Sequence, residues 1–121
     1  MVKALFDTNI LIDYLNAMPE ARVELDRYGE KSVSVITWME VMVGTTRKTK
    51  AGTRAFLDGF VLLPISGEVA ECAVELRQIN KIKLPDAIVW ATARVNHLLL
   101  VTRNTKDFPQ DEPGVRVPYL A

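Results

Sequence analysis

Four acidic residues, Asp7, Glu40, Asp86 and Asp107, are spread along the chain at positions where carboxylates could meet. If they converge, they cannot all ionise unaided, because like charges a few ångströms apart push some of their pKa values up. A divalent cation relieves that conflict. Oxygen donors with no His or Cys beside them favour Mg2+ or Mn2+ over zinc. Sparse protein ligation leaves water on such an ion, and a water of that kind can attack a phosphodiester while the ion neutralises charge on the transferring group.

Each acid also has an ordinary structural explanation. Asp7 sits where a strand gives way to a helix and could be an N-cap accepting from the amides of Asn9 or Ile10. Glu40 follows Thr37 with capping-box spacing. Asp86 comes straight after Pro85, in a first helical turn where a carboxylate favours the macrodipole. Asp107, in Asn104-Thr105-Lys106-Asp107-Phe108-Pro109, could be a turn residue.

The elements that carry these residues argue for convergence. The apolar run Val2 to Phe6 ends in Asp7, and Ile10, Leu11, Tyr14 and Leu15 then take up helical spacing. Pro19 opens a short amphipathic helix that Gly29 closes. Ser32 to Ile36 is β-branched and reads as a second strand, and Thr37 opens a helix that Gly44 closes. Thr45 to Gly52 reads as a basic loop, followed by a helix at 53–58 and a third strand at 60–65. Helices are expected at 68–80 and 85–96, the second apolar nearly all round and so buried on most faces. Leu98 to Thr102 is a fourth strand and 115–119 a possible fifth, which Pro118 would confine to an edge. This alternation predicts one domain over 1–121, a three-layer α/β/α sandwich on a mostly parallel sheet.

Parallel strands share a carboxyl edge, where ligands of open α/β sheets bind. Asp7, Glu40 and Asp107 follow the first, second and fourth strands, so they face one crevice. Asp86 is harder to place, since a direct crossing would put its helix start at the opposite edge. One alternative is that the 68–80 helix makes the return crossing and Asp86 opens a second pass from the shared edge. The sequence leaves both open.

Composition narrows the field. The 121 residues carry 15 basic and 15 acidic side chains, so no global basic field draws the chain to polyanions. Any contact with a phosphate backbone must be local, and Arg103, Lys106, Lys81 and Lys83 lie nearest the acids in sequence. The single cysteine, Cys72, sits in a helical pattern as a packed thiol, which fits a reducing compartment. No leader-like segment or apolar run of membrane-spanning length is present, and the expected location is cytoplasmic. His97, the only histidine, reads as a helix-end residue. The third strand lacks a terminal Asp, against a phosphoacceptor receiver. Asp7-Thr8-Asn9 lacks the second Asp of a haloacid-dehalogenase-type phosphatase. No Gly-rich phosphate loop or zinc spacing appears.

Leu5-Phe6-Asp7-Thr8-Asn9, Ser34 to Gly44 with Glu40, Leu84-Pro85-Asp86-Ala87 with Ala91-Thr92-Ala93, and Leu99 to Phe108 together resemble a PIN-domain ribonuclease, and within that group a VapC-type toxin of a toxin–antitoxin pair. The resemblance covers essentially the whole domain, and the last segment is its most specific part. It implies a PIN-like fold and places Asp86 with the other acids. Asp7, Glu40, Asp86 and Asp107 would be the metal-binding, catalytic carboxylates for Mg2+ or Mn2+, with Asn104 a rival for the fourth position. Thr8 and Asn9 would orient Asp7, and Thr102 would hydrogen-bond within the site. The implied reaction is endonucleolytic RNA cleavage leaving a 3′ hydroxyl and a 5′ phosphate. The implied partners are RNA, a second copy of the chain, and a small antitoxin that blocks the acidic crevice. Leu11, Tyr14, Leu15, Trp38, Met39, Met42 and Val43 are the apolar candidates for such contacts. The alternatives are a catalytically silent RNA- or partner-binding PIN domain and an RNA-processing nuclease with no antitoxin.

Overall fold

The computed structural model describes residues 2–120. Five strands, β1 (Ala4–Phe6), β2 (Lys31–Ser34), β3 (Val61–Leu63), β4 (Leu99–Val101) and β5 (Val115–Arg116), form one sheet in the order β3-β2-β1-β4-β5. Every pairing is parallel, with Leu5 opposite Leu100 and Phe6 opposite Val101 at the centre. The chain builds outward from β1 through β2 to β3, then returns to the other side for β4 and β5. The order reverses at β1 and β4, and the carboxyl ends of strands at such a reversal are where open α/β sheets form their binding crevice.

Six helices, α1 (Thr8–Leu15), α2 (Pro19–Asp26), α3 (Val35–Val43), α4 (Lys50–Leu57), α5 (Gly67–Asn80) and α6 (Leu84–Val95), cover the two faces. Strand side chains alternate between faces, and the core divides accordingly. Leu5 and Leu100 pack with Val69, Ala73, Leu76 and Trp90 of α5 and α6. Ala4, Phe6 and Val101 pack with Ile10, Leu11, Leu25, Val41 and Leu57 of α1 to α4. The expected three-layer sandwich is thus present. Pro118 follows β5, which is indeed an edge strand.

Several boundaries differ from expectation, each for a local reason. Ser34 ends β2 and caps α3 by accepting from the amide of Ile36, so Val35 and Ile36 are helical despite their β-branching. α4 begins at Lys50, three residues inside the expected basic loop, where the Thr49 hydroxyl accepts from the Thr46 amide and turns the chain. α2 stops at Asp26, before Gly29. Ser66 caps α5 through the Val69 amide, and β3 is trimmed to residues 61–63. α5 and α6 pack along each other across a short link, and α6 leads directly into β4. Asp86, at the start of α6, lies near Asp7, Asp107 and Glu40 at the carboxyl edge.

Candidate active site

Asp7 is the N-cap of α1 and is 4% exposed. Its backbone amide extends the β1–β4 ladder by donating to the Val101 carbonyl at 2.9 Å, which fixes the carboxylate at the mouth of the crevice. Oδ1 accepts from the Thr8 amide at 2.8 Å. Oδ2 accepts from Thr102 Oγ1 at 2.8 Å and from Asn9 Nδ2 at 3.2 Å. Burial nevertheless raises the Asp7 pKa, opposed by those hydrogen bonds and assisted by the charge of Glu40.

Glu40 projects from α3 and is exposed. The expected capping box is absent, because Ser34 takes the cap and Thr37 lies buried within the helix. Glu40 instead faces the crevice, and its Oε1 accepts from Thr8 Oγ1 at 2.7 Å. The Thr8 hydroxyl also lies 3.1 Å from Thr37 Oγ1. Thr8 thus supports two acids, Asp7 through its amide and Glu40 through its side chain.

Asp86 is half-buried at the start of α6, and its pKa is pushed up to about 6. Desolvation is the largest cause, followed by the charges of Asp7 and Asp107, with Glu40 contributing. These are the three other acids singled out in the sequence, so all four share one electrostatic neighbourhood. Asn104 serves as a support: its Nδ2 donates to Asp107 Oδ2 at 3.0 Å and its Oδ1 accepts from the Asp107 amide at 3.2 Å. The Asn104 amide donates to Thr102 Oγ1 at 3.0 Å, which ties the Asp107 turn to the hydroxyl that holds Asp7.

Among the described residues no cation neutralises this group; the ion pairs go instead to Glu30, Glu24 and Asp13. Nor do three acidic, His or Cys side chains there stand close enough together to hold an ion as placed. The acids nevertheless meet in pairs: Thr8 bridges Asp7 and Glu40, and Asp86 shares a hydrogen bond with Asp107. Their chemistry fits a hard divalent cation: the donors are carboxylate oxygens, and the raised pKa values of Asp7 and Asp86 mark charge in want of a partner.

Arg103, expected near the RNA backbone, pairs with an acid of α1. Its Nε and Nη2 grip Asp13 at 2.5 and 3.0 Å, and Asp13 also accepts from the Tyr119 hydroxyl at 2.9 Å. Lys81, Lys83 and Lys106 remain exposed and outside any ion pair among the described residues. Sequence reasoning missed Asp13, although it falls four residues after Asn9, which puts both on one face of α1. Leu11, a candidate contact residue, is fully buried, whereas Met39 and Val43 are 42% and 84% exposed. His97 follows α6, exposed, at the edge away from the acids.

A model of the PIN domain matches residues 4–110. The chain belongs to the PIN-domain family. Over 94% of each chain it is 30% identical to Ribonuclease VapC10 of Mycobacterium tuberculosis. Its structure resembles a chain of a toxin–antitoxin complex from Klebsiella pneumoniae, with a TM-score of 0.93 and 49% identity over 98% of this chain and 99% of that one. A chain of FitAcB from Neisseria gonorrhoeae aligns with a TM-score of 0.80 at 26% identity, covering 95% and 97% of the two chains. The crevice of this PIN domain lies where the parallel topology reverses, and no helix among its described residues is long and apolar enough to cross a membrane.

Proposed function

We propose that this PIN domain is a metal-dependent endoribonuclease and the toxin of a toxin–antitoxin pair. The observation that carries the reading is the network in which Thr8 ties Asp7 to Glu40 and Thr102 ties Asp7 to the turn bearing Asp107, with Asp86, its pKa raised, beside them. Strongly perturbed acids in a cleft at a topological switch point are the usual mark of a catalytic centre. Asp7, Glu40, Asp86 and Asp107 would hold Mg2+ or Mn2+, which lowers the pKa of water and neutralises charge on a phosphoryl group. The chain itself supplies position: Thr102, Asn9 and the Thr8 amide fix Asp7, Thr8 Oγ1 steadies Glu40, and Asn104 orients Asp107. Lys81, Lys83 and Lys106 flank the acids and would meet the RNA backbone. The ribonuclease name of the Mycobacterium relative and the toxin–antitoxin complex from Klebsiella support the same reading.

An antitoxin also has a surface to meet. A groove beside α3 and α4 is lined by Trp38, Met39, Met42 and Val43 and rimmed by Arg47 and Lys50. Homodimerisation and a cytoplasmic location belong to the same proposal.

The test is cleavage of a structured RNA by purified protein with Mg2+, with Mn2+ and with EDTA. Wild type should cut only with metal, and Asp7→Asn and Asp86→Asn should each lose at least about 100-fold in kcat, the scale of a displaced or missing catalytic group. Cutting that survives both substitutions would overturn the assignment of the site. Failure of every preparation to cut, with antitoxin and chelator verified absent, would count against the nuclease itself.

A further inference from the structure

The sequence offers Arg103 as an RNA contact, but the structure gives it another role. Arg103 follows Thr102 at the end of β4 and opens the turn that carries Asn104 and Asp107. One face of α1 holds it twice. The Asn9 Oδ1 accepts from the Arg103 backbone amide at 3.3 Å, and Asp13, one helical turn further on, takes the guanidinium through two parallel bonds. Asp13 is 5% exposed. Tyr119, from the segment after β5, closes the group by donating to the same Asp13 oxygen that Arg103 Nε reaches. A planar fork on a buried carboxylate fixes orientation as well as distance. Everything downstream of that fork matters to the crevice: Thr102 bonds Asp7, the Asn104 amide bonds Thr102, and Asn104 bonds Asp107.

We propose that Asp13, Arg103 and Tyr119 form a positioning clamp that locks the 102–107 turn onto α1, setting the separation of Asp7 and Asp107. Arg103 is a positioning residue and does not bind substrate. The clamp rests on the nuclease reading for its effect on rate, but the rigidity of the turn is measurable without any RNA.

The test therefore has two arms, run on Asp13→Asn, Arg103→Lys, the milder Tyr119→Phe and the Asp13→Asn/Arg103→Lys pair, each first shown by melting to be folded at the assay temperature. In amide hydrogen exchange, Arg103, Asn104 and Asp107 should exchange at least about 10-fold faster in Asp13→Asn and Arg103→Lys, while β1 and β4 keep their protection. In RNA cleavage, kcat should fall about 10- to 100-fold with KM unchanged, as expected when a reacting group is displaced by about 1 Å. Lysine at position 103 should not rescue, since it keeps the charge and loses the fork. The double variant should be no worse than the poorer single one. Unaltered exchange in the turn would sink the clamp. A raised KM with kcat intact in Arg103→Lys, and no such rise in Asp13→Asn, would make Arg103 an RNA contact after all. Loosened exchange with kcat intact would reduce the cluster to a structural tie. Wild type that cuts no RNA, with exchange still loosened in the variants, would remove the nuclease reading and leave the clamp as a mechanical fact.

Discussion

Thr102 is fully buried, and its hydroxyl serves three neighbours. It donates to Asp7 Oδ2, and it accepts from the Asn104 amide and, at 3.3 Å, from Asn9 Nδ2. A single oxygen so placed joins β1, α1 and the turn after β4. Thr102→Val keeps the shape and removes the oxygen, leaving the Asn104 amide and one Asp7 acceptor short of a partner. We expect a loss of about 1–3 kcal/mol, the range for stranding buried polar groups, together with slower RNA cleavage. Urea unfolding in chelator checks the first, and a stability change under about 0.5 kcal/mol would show that water replaces the hydroxyl. At this scale the sequence was informative about which side chains carry charge, and Asp7, Glu40, Asp86 and Asp107 do share one field. It was silent on Asp13 and on its pairing with Arg103, because an ion pair between residues 90 positions apart leaves no local pattern. The two side chains look solvent-facing until α1 and β4 are side by side.

Among the elements, α3 shows how a correct motif can be the wrong one. Thr37 and Glu40 satisfy the capping-box spacing, yet Ser34, three residues earlier, takes the cap because β2 runs into α3 with no loop between them. The strand's last residue already has the extended backbone that an N-cap needs. Ser34→Ala should therefore destabilise by about 1 kcal/mol. Glu40→Ala, which removes an exposed acid that caps nothing, should leave stability within about 0.5 kcal/mol or raise it. A larger loss for Glu40→Ala than for Ser34→Ala in chelator-treated denaturant melts would restore the capping box. The same joint frees Glu40 to face the crevice. Element types were largely legible, since β-branched runs and helical periodicity are local signals. The edge on which α6 starts was not legible without the resemblance to a known family, because it depends on how two consecutive helices, α5 and α6, share one connection between strands.

Across the whole molecule, the acids fall into two groups with opposite pH behaviour. Asp13 and Glu24 belong to the frame that ties the α1–α2 layer to the β4–β5 side. Asp13 is held below the usual carboxylate range by hydrogen bonds from Arg103, against the cost of its burial, with help from Tyr119. For Glu24 desolvation is the largest influence and acts upward, but the bonds from Arg116 and Tyr28 outweigh it and the net shift is down. Acids with depressed folded pKa values stabilise fully above their unfolded values and lose that contribution as pH falls through the folded ones. The crevice acids work the other way. Asp7 and Asp86 are raised, so the folded state keeps their protons longer than the unfolded chain does, and stability drains away as pH climbs from about 4 through the Asp86 value of about 6. Metal-free protein should then melt highest between about pH 4 and 5 and progressively lower towards pH 7. Asp86 is partly solvated, so its share is about 1–2 kcal/mol, less than the full shift would give. The Asp86 carboxyl shares a hydrogen bond with Asp107, and an amide at position 86 can donate to that carboxylate without adding charge, so Asp86→Asn should be more stable than wild type at pH 7 in EDTA while matching it near pH 4. Mg2+ should raise the wild-type melting temperature at pH 7 and do much less for the variant, since a bound cation stabilises only the state that holds it. A flat melting profile from pH 4 to 7 without metal, or an Asp86→Asn protein no more stable than wild type at pH 7, would mean that the four acids do not burden the fold. The case for a shared cation at the crevice would then lose its physical basis, because a site built to bind charge must cost stability when that charge is withheld.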